Sequence, residues 1–407
     1  MMSPPAILCG CLLTFAAAAE FAGGAGPSFR ADGPDAERYG SREGFPACRG
    51  TEYVGDLRCR VGAFSRFDTL FPARAIAPSP HPVPFRRAGR EAEVRYVFGG
   101  EERTLAQYLT RRPVTGFLIA RGDTILVERY QYGRTDRDRL ASFSMAKSIV
   151  GLLVGIALEE GAIRSLDDRA QDYVPALAGT AYGATPIDAL LRMRSGMAFS
   201  EDYADPASDI YRLARATLEQ DPGGSLAAVR RFDTRRAPPG ERFNYASADS
   251  AVLGLVLAAA TGRTLADYTR EKLWEPIGSE ARATWIVDAT GNEIAYAFVN
   301  AVLRDWARLG RLIAQGGSVA GRKVVPRSWL DASLARSGPT DIPQLRYGYH
   351  MWHSADAKRT LLWGLRGQNV LADPETGLVL VQTALSSDDA LDLELAALWT
   401  AVRTQLR

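Results

Sequence analysis

Hydrophobic positions are spread unevenly along the chain, and their spacing predicts most of its elements. An apolar stretch, Ala6 to Ala19, comes first and ends at Glu20. From there to about residue 90 the chain is rich in Gly, Pro and Arg, with Pro78, Pro80, Pro82 and Pro84 at every second position. That composition predicts an irregular, wrapping extension over 20–100 rather than a domain. Thr104 to Arg111 reads as a short helix, and Val114 to Ala120 and Thr124 to Tyr130 are β-rich runs separated by the hairpin signal Arg121-Gly122-Asp123. Lys147 to Leu158 is almost wholly apolar and of helix length, which predicts a helix buried on all sides. Short helical patterns follow between about 160 and 300, at Pro186 to Met193, Ser247 to Ala260 and Thr264 to Leu273, and another at Arg304 to Ala314. The last quarter returns to strands (Tyr347 to Trp352, Thr360 to Trp363, Gln368 to Ala372, Leu378 to Thr383) and closes with a helix, Leu391 to Leu406. Strands at both ends of 101–407 with helices between them predict an α+β fold. Its antiparallel β-sheet is assembled from distant parts of the chain and flanked by helices, beside a mostly helical subdomain at 160–300.

Composition narrows the function without naming it. The 407 residues are 46% hydrophobic and 24% charged, enough for a large core. Forty-nine basic residues face 47 acidic ones, and a formal charge of +2 gives no support to nucleic-acid binding. The first stretch predicts a secretory signal, residues 1–19, cleaved after Ala17-Ala18-Ala19, and an exported, periplasmic or secreted protein. A lipoprotein signal would use Leu8-Cys9-Gly10-Cys11, but the apolar run continues past Cys11. No other segment reaches the ~18 apolar residues of a membrane helix. Cys48 and Cys59 are the cysteines left after cleavage, and an isolated close pair in an oxidising compartment is a disulfide candidate. Four cysteines and three histidines are too few and too scattered for a zinc framework, so no metal is expected.

Three strings carry chemistry. In Ser144-Met145-Ala146-Lys147 the serine and lysine stand at i and i+3, on one face if the buried helix begins near Ser144. A serine hydroxyl needs a base, and lysine serves as one when desolvation destabilises its ammonium. The chain has four lysines among its 49 basic residues, so a lysine heading an apolar helix points to a proton that must leave, which arginine cannot release. A capping serine with a snorkelling lysine is the plain alternative. The second string, Asn244-Tyr245-Ala246-Ser247, follows the turn Pro238-Pro239-Gly240 and precedes a helix, where a tyrosine beside a cation can shuttle a proton. The third, Leu361 to Gln368, has Gly364 and Gly367 breaking an apolar run, which allows close backbone approach to a ligand. His81, His350 and His353 have no Gly-x-Ser-x-Gly partner, which disfavours a Ser-His-Asp triad.

In order and spacing these strings resemble the serine β-lactamase-like hydrolases, which include class C β-lactamases, penicillin-recognising peptidases and related esterases. Within that grouping the likeness is greatest to the 6-aminohexanoate-dimer hydrolases, over about residues 100 to 400. It rests on Ser142 to Ser148, Glu201-Asp202-Tyr203-Ala204-Asp205-Pro206-Ala207-Ser208, Tyr245-Ala246-Ser247, and Gly364 to Asn369 with Asp373-Pro374 beyond. The resemblance implies an acyl-enzyme on Ser144 with Lys147 as base, Tyr245 as proton relay, and the N–H groups of Ser144 and Leu365 as the oxyanion hole. Tyr203 would lie over the site, Ser247 would hydrogen-bond within it, and Gly364 would allow the substrate close. Where β-lactamases carry Lys-Thr-Gly, this chain reads Leu362-Trp363-Gly364. The lost cation argues against β-lactams, the Trp363 indole is expected to line the pocket, and Arg366 is a candidate anion binder. Asp388 and Asp389 stand in a plausible region for binding a substrate amine, without a reliable match. The implied protein is a serine hydrolase of small-molecule esters or linear amides that needs no cofactor. The alternatives are a β-lactamase or D-amino-acid peptidase, and a catalytically idle envelope binding protein on the same scaffold.

Overall fold

A computed structural model describes residues 26–356, 358–386 and 390–407; the expected signal segment and Asp388-Asp389 lie outside them. Six strands form the centre of a ten-stranded sheet: β1 (Val114–Arg121), β2 (Thr124–Tyr130), β3 (Trp352–Ser354), β4 (Thr360–Gly364), β5 (Gln368–Asp373) and β6 (Leu378–Ala384). They lie in the order β2-β1-β6-β5-β4-β3 and pair antiparallel. Leu345–Tyr347 and Gly338–Pro339 extend the β3 edge, while Ser28–Phe29 and Arg86–Arg87 pair parallel with β2. In the β1–β6 ladder Leu118 faces Val381 and Ile119 faces Leu380, across more than 260 residues of chain.

Period-two alternation divides these strands between two cores. Leu118, Ala120, Val370, Val379 and Val381 face the larger one, Phe117, Ile119, Leu371 and Leu380 the smaller. Four helices organise the packing around them: α1 (Met145–Glu159), α2 (Ser247–Thr261), α3 (Leu303–Ala314) and α4 (Ala390–Gln405). Helix α4 closes the smaller core with Leu395, Leu398, Trp399 and Val402. Helix α3 lies on the opposite face, where Gly310 admits it: a Cβ there would stand 2.5 Å from a Val379 methyl. Both faces are therefore dry, which is why the strands read as unbroken apolar runs.

The amino-terminal segment, expected to be irregular, carries short helices at Arg60–Ser65 and Phe67–Leu70 and a strand at Ala73–Ile76. Phe64, Phe67 and Phe71 are buried in the larger core. The Ala73–Ile76 strand belongs to a second, four-stranded sheet with Ala283–Ile286, Val299–Ala301 and Leu140–Ala141. Two strands thus stand inside the stretch expected to be helical. The expected Tyr347–Trp352 strand also breaks, at Gly348–Met351, where His350 has φ +56°. The turn bolts three elements together. Ser148 of α1 donates to the His350 carbonyl (2.7 Å), His350 Nδ1 donates to the Leu191 carbonyl (3.0 Å), and Nε2 accepts from Ser250 of α2 (2.8 Å). Burial pushes this imidazole down to about 3, so it is neutral and committed to the scaffold.

Candidate active site

The segment entering α1 is fixed from both sides. Ser142 N–H donates to the Val299 carbonyl (2.7 Å), and Val299 N–H donates back to Ser142 Oγ (2.9 Å). Phe143 then turns the chain with φ +44°, a conformation rare for a non-glycine residue, and packs its ring on Phe64 at 4.6 Å. That turn leaves Ser144 half-buried at the helix start, with Lys147 one turn along the same face. Lys147 is 1% exposed, and its Nζ donates to Ser144 Oγ (2.9 Å) and to the Tyr296 carbonyl (2.9 Å). Among the described residues it has no carboxylate in ion-pair contact. Desolvation pushes its pKa down to about 8, with the charge of Glu201 opposing the shift.

Tyr245 lies on the loop entering α2. Its ring is 5.0 Å from Lys147 Nζ and stacks on Trp352 at 5.6 Å. Burial, reinforced by the Glu201 charge, raises the Tyr245 hydroxyl far above its ordinary range, and a hydrogen bond with Ser144 offsets only part of this. The phenol keeps its proton at neutral pH, so of the two groups beside Ser144 only the amine can take a proton from it.

Glu201 has a part that its sequence context did not reveal. It accepts from Tyr203 OH (2.8 Å), Ser247 Oγ (2.7 Å) and Ser247 N–H (2.8 Å), tying the Tyr203 loop to the first turn of α2. The one available signal was an acid two positions before Tyr203 in the Glu201–Ser208 string. Tyr203 and Ser247 are thus brought together beside Ser144 through this carboxylate.

On the other side, Gly364 ends β4 against the turn at Ser142–Ser144. A Cβ there would stand 2.3 Å from the Ser142 carbonyl oxygen and 3.3 Å from Phe143 Cβ. The next residue, Leu365, lines a cavity of about 300 Å³ together with Ser144, Tyr203, Ser247 and Arg366. Among the described residues no carbonyl accepts from the N–H of Ser144 or of Leu365. Aromatic rings supply much of the remaining lining, including Tyr53, Phe143, Tyr211, Tyr296 and Phe298. Thr51, Tyr53, Val54, Arg60 and Phe64 show that the amino-terminal segment builds one wall, and Cys48 and Cys59, joined by a disulfide, close the loop that carries the first three.

Trp363, expected to line the pocket, lines instead a separate cavity of about 240 Å³. Strand alternation is the reason: Leu362 enters the larger core, so Trp363 points to the opposite face. There its indole Nε1 donates to Asp392 Oδ2 (3.2 Å) and its ring meets Trp352 at 5.3 Å. Through Trp352, which stacks on Tyr245, it is linked to the site at one remove.

A family model for beta-lactamases matches residues 102–398, and the chain belongs to that family of serine hydrolases. It is 30% identical to the 6-aminohexanoate-dimer hydrolase of Paenarthrobacter ureafaciens over 339 residues, 79% of this chain and 84% of that one. A Bacillus anthracis structure provisionally described as a 6-aminohexanoate-dimer hydrolase superposes with a TM-score of 0.78 at 21% identity, covering 87% of this chain and 96% of that one. A family VIII carboxylesterase superposes with a TM-score of 0.55 at 16% identity, covering 72% and 93%. At these identities the two structures speak for the shared fold.

Proposed function

We propose that the protein hydrolyses small-molecule esters or linear amides through an acyl-enzyme on Ser144. Ser144 Oγ bonds to the substrate carbonyl carbon while Lys147 Nζ takes its proton. The N–H groups of Ser144 and Leu365 hold the oxyanion. As the tetrahedral intermediate collapses, the bond to the leaving group breaks, and Tyr245 passes the proton from Lys147 to the departing oxygen or nitrogen. For an amine leaving group, Tyr203 on its Glu201-anchored loop assists that transfer. Water then attacks the acyl carbon, gives its proton to the same base, and releases the acid and free Ser144. The observation that carries this reading is a desolvated lysine amine 2.9 Å from a serine hydroxyl at the rim of an apolar cavity.

Two further points support it. The Paenarthrobacter relative is named for hydrolysing a linear amide dimer, and Leu362, fully buried, leaves no cation at the place where β-lactamases hold the substrate's carboxylate. Export, with residues 1–19 removed, would put the chain in an oxidising compartment, in keeping with the Cys48–Cys59 disulfide. Intact-mass analysis with p-nitrophenyl butyrate and a linear amide tests the proposal. A single acyl adduct on Ser144 is expected, lost in Ser144→Ala, with turnover nearly abolished in Lys147→Arg despite the retained charge. Turnover that survives in Ser144→Ala overturns it.

A further inference from the structure

Arg366 stands in an unusual setting. It occupies the turn between β4 and β5 with φ +70°, backbone that glycine and asparagine adopt easily and a long side chain rarely does. Residues held in such conformations cluster at ligand-binding sites, where surrounding structure enforces them. The side chain is half-buried, lines the Ser144 cavity, and follows directly on Leu365. Among the described residues no carboxylate lies in ion-pair contact with it, although arginines elsewhere on this chain are commonly paired.

A second guanidinium stands close by. Arg60, 4% exposed, is held in the same cavity wall by the carbonyls of Tyr53, Val54 and Leu385. Each guanidinium raises the potential at the other, and the repulsion adds to burial in weakening Arg60's hold on its proton. Arg215 also lines the cavity, and among the described residues Glu219 is the lining carboxylate. Glu201, beyond the lining, accepts from Tyr203 and Ser247, and its charge acts on Lys147 and Tyr245. A largely apolar cavity with a forced, carboxylate-free arginine beside a buried one is complementary to an anion on an apolar chain.

We propose that this cavity takes substrates bearing a carboxylate, with Arg366 as its direct partner. The proposal rests on the hydrolase reading and adds the substrate's charge to it. The carboxylate sits on either the acyl chain or the leaving group, and two pairs of esters distinguish them: mono-p-nitrophenyl glutarate against p-nitrophenyl butyrate, and 4-acetoxybenzoate against its methyl ester. In one pair the charged member is expected to have at least tenfold higher kcat/KM. That preference should fall at least tenfold in Arg366→Asn and shrink with added salt. Asparagine suits the left-handed backbone, and Arg366→Gly checks any variant that folds poorly. No preference in either pair, or one that persists in both variants, overturns the proposal. Fluorophosphonate labelling of Ser144 in the same samples separates the two ideas: labelling without charge preference removes only the anion subsite, whereas no labelling and no turnover removes the hydrolase reading itself.

Discussion

If Lys147 is the base, the pH dependence of kcat/KM is set by how far burial has weakened its hold on the proton. An exposed lysine with its usual pKa of 10.5 would give a rate that climbs about a hundredfold between pH 7 and 9 without levelling. With the amine at about 8, roughly one-tenth is neutral at pH 7 and nine-tenths at pH 9. The expected profile therefore rises about tenfold over those two units and then reaches a plateau. Tyr245, kept protonated by burial, adds no second rising limb in this range. Glu201 offers a directional check, because its negative charge favours the ammonium. Glu201→Gln retains the side-chain size and removes that charge, so the midpoint should fall below that of the wild type. The assay is initial-rate hydrolysis of p-nitrophenyl butyrate from pH 5.5 to 9.5, corrected for spontaneous hydrolysis. A profile flat from pH 6 to 9, one still climbing steeply at 9.5, or an upward shift in Glu201→Gln would refute the reasoning.

Two further perturbations probe the parts around that base. Gly364→Ala places a methyl against the Ser142 carbonyl, so β4 and the turn at Ser142–Ser144 must separate; kcat should fall about a hundredfold in a protein with unchanged circular dichroism, and full activity would show that the approach is not needed. Cys59→Ser opens the loop closed by Cys48–Cys59 and should cost about 3 kcal/mol of stability. Scanning calorimetry should show a lowered Tm, matched by the wild type under reductant, and an unchanged Tm would contradict it.

What was legible in the sequence was whatever local chemistry and periodicity specify. Ser144 and Lys147 share a face because helical spacing requires it, and the long apolar strands declared themselves because both sides of the sheet are buried. The role of Glu201 was hidden, since its partner Ser247 lies 46 residues on and only the tertiary fold brings them together. Trp363 failed for a related reason: alternation says that it and Leu362 face opposite ways, but not which way the cleft lies. The turn at His350 looked like strand because its aromatic and apolar residues have strand propensity, whereas the contacts to Ser148, Ser250 and Leu191 decide its backbone. The amino-terminal segment gave no periodic signal because its helices and strands are six residues long or fewer.

The wall made by Thr51, Tyr53, Val54, Arg60 and Phe64 lies outside the residues matched by the family model. The cavity beside Ser144 is thus shared between two stretches of polypeptide, one inside the family-matched residues and one before them. Changes at Thr51, Tyr53 or Val54 would reshape that wall without altering Ser144 or Lys147 themselves. A version trimmed to the recognisable family core would lose one side of the cavity together with the aromatic packing under Phe143, so its behaviour would misrepresent that of the whole chain.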